Sequence, residues 1–239
     1  MQLLKNKYSF KRALLDLFLV YVVIYLASPF ENVNSEFWNV NENHYYLWIS
    51  RSFLIVFIIY FFKLTSSYGD FRIEFFIPKF KFIFIWESIL IFIKTILIAM
   101  IFIFLIAFLV EYLLPESVFA YYLQNNVEFN WKISSIKALF LMIFTSFFTG
   151  AFEELFYRAF VITKFAQMGF PSLVTVFLSS IFFAYGHLYY GILGFLVTFI
   201  LGIFFAFIYL RYKNVYYIIF IHSFYNIIVS SLLLVLSWF

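Results

Sequence analysis

Residues 83–110 read IFIWESILIFIKTILIAMIFIFLIAFLV. Glu87 and Lys94 alone interrupt this run with charge. A stretch so long and so apolar is predicted to be a helix that crosses a bilayer. Six more hydrophobic segments follow the same pattern, near 13–30, 45–63, 133–164, 172–189, 191–210 and 215–237. The segment 133–164 is long for one span and is expected to tilt, bend or project past the bilayer. Composition agrees: 66% of the 239 residues are hydrophobic, 12% are charged, and 40 are Phe. A soluble domain could not cover that much apolar surface, whereas lipid can solvate the outer faces of helices. The predicted fold is an all-α polytopic transmembrane bundle of about seven spans. Residues 1–239 form one integral membrane domain with no separate soluble unit.

Charge in the connecting segments sets the orientation. Segments 31–44 and 111–131 hold Glu31, Glu36, Glu42, Glu111, Glu116 and Glu128 and no Lys or Arg. By contrast, 63–81 carries Lys63, Arg72, Lys79 and Lys81, and Lys164, Arg211 and Lys213 mark two later turns. The positive-inside rule then puts the N-terminus in the cytoplasm and, after seven spans, the C-terminus outside. Lys5, Lys7, Lys11 and Arg12 ahead of an apolar run resemble a signal peptide, but Tyr25–Pro29 lacks a small-x-small cleavage site. The run is read as an uncleaved first span. Absence of cysteine excludes disulfides, a Cys nucleophile and thiolate metal sites. The net charge of +4 reports topology, not nucleic-acid binding.

Within the sixth segment Gly194, Thr198, Gly202 and Ala206 recur every four residues, a stripe that lets another helix approach closely. Ionisable groups at bilayer depth cost at least about 2.5–3.5 kcal/mol each and need a reason. Asp16, Arg51 and Lys63 lie near span ends, where they are expected to reach the interface. Glu87 and Lys94, two turns apart, are expected to snorkel or to pair with each other. The stretch Ala151-Phe152-Glu153-Glu154-Leu155-Phe156-Tyr157-Arg158 has no such escape. Glu154 and Arg158, four apart on one helical face, can pair, while Glu153 points about 100° away. One carboxylate is compensated and the other is directed elsewhere.

Three histidines are present. His44 is read as solvated in an acidic external loop. His187 closes the fifth segment, and His222 lies in the seventh with Asn226 one turn on. Two histidines, an Asn and a Glu pair in a bundle poor in polar residues point to a shared site. No H-E-x-x-H and no G-x-S-x-G is present. Neither Asp16 nor Asp70 sits mid-span, so an aspartyl dyad has no support.

Glu153-Glu154-x-x-x-Arg158, Phe183-x-x-x-His187 and His222-x-x-x-Asn226, on three separate hydrophobic segments, resemble the three motifs of the CPBP family, the Abi or type II CAAX prenyl endopeptidase group of intramembrane proteases. The core helices that carry them lie within 133–237. The resemblance implies hydrolysis of a peptide bond in a membrane-associated protein or peptide, with lipid and that substrate as partners and no nucleic acid. Some members act after a prenylated Cys, and others are linked to bacteriocin immunity, peptide maturation or anchoring. The richness in Phe, Ile, Lys, Asn and Tyr suits a bacterial chain, which places it in the plasma membrane.

Carried onto this chain, the family pattern makes Glu153 the base, with His187 polarising the water. Burial in an apolar pocket makes a carboxylate a stronger base once water is admitted. Glu154 and Arg158 form the supporting pair, and His222 and Asn226 donate to the oxyanion. Chemistry alone leaves Glu153 and Glu154 exchangeable. A metal-free glutamate mechanism with no cofactor is preferred. The alternative is a metalloendopeptidase with a divalent ion such as zinc on Glu153, His187 and His222, an open His₂Glu set. Two non-proteolytic classes compete: an immunity or scaffold protein that keeps the fold, and a proton-coupled transporter using the Glu and His groups as a relay. Paired broken helices and an inverted repeat, which the transporter would favour, are not evident.

Overall fold

The structure, a computed structural model, describes residues 9–27, 40–66, 70–113, 136–188 and 191–236. Every described regular element is a helix. They are α1 (Phe10–Ala27), α2 (Val40–Thr65), α3 (Phe71–Glu74), α4 (Ile83–Leu113), α5 (Ile136–Glu153), a π-helix π1 (Glu154–Val161), α6 (Ile162–Gln167), α7 (Ser172–Tyr185), α8 (Gly191–Tyr212) and α9 (Val215–Leu236). The all-α expectation holds, and each of the seven hydrophobic segments contains one long helical stretch. The long fourth segment continues from α5 through π1 and α6. The acidic loops lie largely outside the described residues, but His44 falls within α2 and not in a loop.

Five helices are long and apolar enough to span: Trp48–Thr65, Ile83–Leu105, Phe140–Gln167, Gly194–Tyr212 and Val215–Leu232. Their outward faces are lined with exposed large apolar side chains, as at Phe53, Trp86, Phe104 and Leu232. Such surface is stable against lipid and not against water. The other two are α1, which carries Lys11, Arg12 and Asp16, and α7, a shorter apolar helix. With 14 residues, α7 is about 21 Å long, less than the roughly 30 Å hydrocarbon core.

Packing reproduces the directions expected from the loop charges. The contacts Trp48–Phe148 and Phe61–Phe160, with ring centroids 6.0 and 6.1 Å apart, align α2 in the same direction as α5 and π1. Phe84–Tyr216 and Phe92–Phe224, at 6.0 and 6.3 Å, align α4 with α9. The second and fourth spans run together, and so do the third and seventh, as a seven-span chain requires. Reporter fusions after Asn34 and Glu116 should read as external, and fusions after Lys79 and Lys213 as cytoplasmic. An external signal at Lys79 would overturn this orientation.

Close approaches fix the catalytic-side helices. A Cβ on Gly150 would lie 2.9 Å from Ser223 Oγ, so α5 and α9 touch along bare backbone one turn before Glu153 and Glu154. In the small-residue stripe, a Cβ on Gly202 would lie 3.1 Å from Ser180 Cβ and 3.3 Å from Phe183. That stripe packs α8 onto α7, as its spacing suggests. Gly169, at φ +93°, turns the chain out of α6.

Three charged residues differ from expectation. Asp16 is buried and accepts from Lys164 Nζ at 2.9 Å, so it anchors α1 to α6 and does not reach the interface. Arg51 turns inward, its guanidinium 5.2 Å from the Phe152 ring centroid. Glu87 accepts from the Tyr217 hydroxyl on α9, while Lys94 is exposed. Two helical turns set Glu87 and Lys94 about 10 Å apart along the axis, too far for a pair, whereas Tyr217 is alongside. Beneath the bundle, buried Glu74 of α3 accepts from Ser66 Oγ at 2.8 Å and from the Gln167 amide. Tyr209 donates to the carbonyl of Phe75 at 3.0 Å. These bonds clamp segment 70–77 under the ends of α6 and α8.

Candidate active site

The two adjacent carboxylates part company at the junction of α5 and π1. Glu154, fully buried, lies 3.1 Å through Oε2 from Arg158 Nε. Its Oε1 is 2.7 Å from His222 Nδ1. Glu153 ends α5 at the edge of the buried region, its side chain 12% exposed. Its Oε2 is 3.6 Å from His222 Nε2 and has no hydrogen-bond partner among the described residues. One carboxylate is sealed between a cation and an imidazole; its neighbour keeps some exposed surface.

The π-helix that begins at Glu154 widens the turn carrying Glu154, Tyr157 and Arg158. Such turns concentrate at functional sites because they re-aim side chains that an α-helix would stack. Arg158 is fully buried, and its ion pair with Glu154 is an angled contact without hydrogen-bond geometry. Its guanidinium carbon lies 4.1 Å from the Phe183 ring centroid and 5.4 Å from that of Phe205. Aromatic faces thus supply part of the stabilisation that water would give elsewhere.

Phe183 is the hub. Besides Arg158, its ring meets His187 at 4.6 Å, Tyr157 at 5.3 Å and His222 at 5.7 Å. The Phe of Phe-x-x-x-His, a common residue in this chain, thereby holds a cation and both histidines in place. His187 Nδ1 is 2.8 Å from the carbonyl of Phe183. A carbonyl only accepts, so Nδ1 carries the proton and Nε2 of the neutral ring presents a lone pair. His187 is half-buried and lies within electrostatic reach of Glu153 and His222. Phe205 of α8 closes the far side of His222 with ring centroids 5.2 Å apart.

Of the six residues read from the motifs, Glu153, Glu154, Arg158 and His222 form one contiguous cluster, and His187 borders it through Phe183. Asn226 is half-buried one turn beyond His222 on α9, with no contact to the others among those described. Phe205 and the π-turn are the parts that sequence reasoning missed, and Phe183, read there as a motif position, is given no role of its own. Among the described residues, no three His, Asp or Glu side chains are drawn together as an ion's ligands. That holds for Glu153, His187 and His222.

A polytopic helical membrane protein with a buried Glu–Arg–His cluster on three helices defines the class. Residues 135–228 match the family model described as type II CAAX prenyl endopeptidase Rce1-like. This stretch, which contains every residue of the cluster, is similar to that family, in agreement with the three motifs. No curated protein and no solved structure matches the chain.

Proposed function

We propose that the chain is an intramembrane endopeptidase that hydrolyses a peptide bond of a membrane-associated protein or peptide, in a bacterial plasma membrane. The asymmetry of the carboxylates carries this reading: Glu154 is locked by Arg158 and His222, while Glu153 stands unbonded beside an imidazole. Of the two, Glu153 alone has exposed side-chain surface, 12% against none for Glu154, so it is the one placed to take a proton from water.

The cluster sets two carboxylates against one permanent cation, Arg158. One further proton, held on His222, makes it neutral, which a low-dielectric interior strongly favours, and leaves Glu153 able to accept from water. Water between Glu153 and the Nε2 of His187 gives its proton to Glu153 as its oxygen bonds to the carbonyl carbon. The carbonyl electron pair moves onto oxygen, where His222 and Asn226 donate hydrogen bonds. Collapse restores C=O, breaks C–N and returns the proton from Glu153 to the departing amine. Arg158 holds Glu154, and Glu154 holds the His222 ring, so both act as positioning residues.

Comparison of membrane peptidomes tests the reading. A deletion strain carrying the parent gene should contain cleavage products that the same strain carrying Glu153→Ala lacks. Identical peptidomes would favour an inert scaffold or immunity protein. Purified protein should keep that cleavage after exhaustive chelation, without stoichiometric zinc by elemental analysis. Loss on chelation, restored by zinc, would instead make Glu153, His187 and His222 metal ligands.

A further inference from the structure

Tyr157 is one turn beyond Glu153, on the same stretch of helix, and no motif reading uses it. Its ring packs edge-on against Phe183, with centroids 5.3 Å apart, and against Phe156 at 4.8 Å. These contacts hold the ring. The hydroxyl at its tip is treated differently: among the described residues it has no hydrogen-bond partner, although the backbone carbonyl of Tyr157 accepts from Ser179 Oγ at 2.7 Å. The half-buried hydroxyl is therefore open to a partner from outside the chain.

The hydroxyl lies against Gly186, the residue before His187, so closely that a Cβ there would come within 2.8 Å of the oxygen. Gly186 has ordinary helical φ and ψ, −62° and −11°, so glycine is not needed there for its backbone. What the site needs is the space. Tyr157 is also within electrostatic reach of Glu153, and it is half-buried, not sealed. A phenol one helical turn from the base and held against the His187 turn, with its O–H unspent, is placed to meet a substrate oxygen. An unperturbed phenol, with a pKa of about 10, is a donor at neutral pH.

We propose that Tyr157 is a further catalytic residue, its hydroxyl donating a hydrogen bond to the carbonyl oxygen of the scissile peptide as that oxygen becomes an oxyanion, with Gly186 keeping the hydroxyl in place. The inference rests on the endopeptidase reading above. The hydroxyl keeps its proton throughout, so the balance of the hydrolysis is unchanged. Tyr157 adds a donor beside the His187 turn to those of His222 and Asn226.

The test is a double-mutant cycle on the full chain in proteoliposomes, using an internally quenched peptide that spans a Glu153-dependent cleavage site. Tyr157→Phe keeps both ring contacts and should lower kcat by about 100-fold while leaving KM and thermal midpoint near parental values. Gly186→Ala should also lower kcat by displacing the hydroxyl. In the Tyr157→Phe background, Gly186→Ala should have little further effect, because no hydroxyl remains to displace. A Tyr157→Phe enzyme with kcat within threefold of the parent would overturn the proposal while the endopeptidase reading stood. So would losses that multiply in the double variant, since alanine would then act elsewhere. If no cleavage depends on Glu153, the endopeptidase reading fails and this proposal falls with it.

Discussion

Glu153→Gln is expected to lower turnover by about 100- to 10,000-fold, the range typical for loss of a positioned general base. Yield and thermal midpoint should stay near those of the parent. Glu153 Oε2 has no hydrogen bond to lose, and removing a charge from the edge of an apolar region relieves desolvation and does not add to it. Glu154→Gln should behave in the opposite way. It takes a carboxylate from between Arg158 and His222, leaves a fully buried guanidinium without its counter-charge, and should reduce the amount of folded protein before any question of turnover arises. Activity assays at matched folded concentration, with thermal unfolding of both variants in detergent, separate the two. If Glu154→Gln is stable and inactive while Glu153→Gln is active, the roles of the carboxylates must be exchanged.

That distinction was out of reach of the sequence. Two adjacent glutamates on a regular helix differ only by a rotation of about 100°, which says they face different ways and not which one is sealed. The answer lies in partners contributed by α7, α8 and α9, and in a π-turn for which no local sequence signal is known. The membrane helices themselves were legible, because a bilayer imposes length and apolarity on each span separately. The pairing of Glu154 with Arg158 was legible for the same reason: its partners are four residues apart on one element. Long-range pairings were not. Asp16 and Lys164 sit near the ends of their segments, where each alone could reach water, and nothing local says that they meet. Glu87 looked toward Lys94 because both lie on one helix, yet the nearer partner was a Tyr hydroxyl on another. Phe183 carried the weakest motif signal in a chain rich in Phe. Its importance is geometric, one ring touching a cation and two imidazoles.

Arg158→Ala is expected to cost about 3–5 kcal/mol of stability, the usual consequence of breaking a buried ion pair by removing one partner. Both side chains are wholly buried, so no solvent screening softens the loss. Glu154 would keep His222 as its remaining partner, and that imidazole would then have to compensate two carboxylates alone. The guanidinium also fills the space between the Phe183 and Phe205 rings, so its removal opens a cavity beside His222 and adds to the cost. Folded yield and activity should therefore fall together. Lysine is not an equivalent replacement, since a compact ammonium cannot approach Glu154 and lie flat against Phe183 at once. The double variant Glu154→Gln with Arg158→Gln removes both charges, and the new amide oxygen at position 154 can still accept from His222 Nδ1. It should regain much of the lost thermal stability, because an uncharged pair of similar volume has no desolvation to offset. It should not regain full activity, because the carboxylate that fixes the His222 ring and balances the cluster is gone. Thermal midpoints and turnover for the parent, Arg158→Ala and the double variant decide the matter. An Arg158→Ala protein as stable as the parent would show that the pair bears no part of the fold. Recovery of full turnover in the double variant would show that the charge on Glu154 has no part in positioning His222.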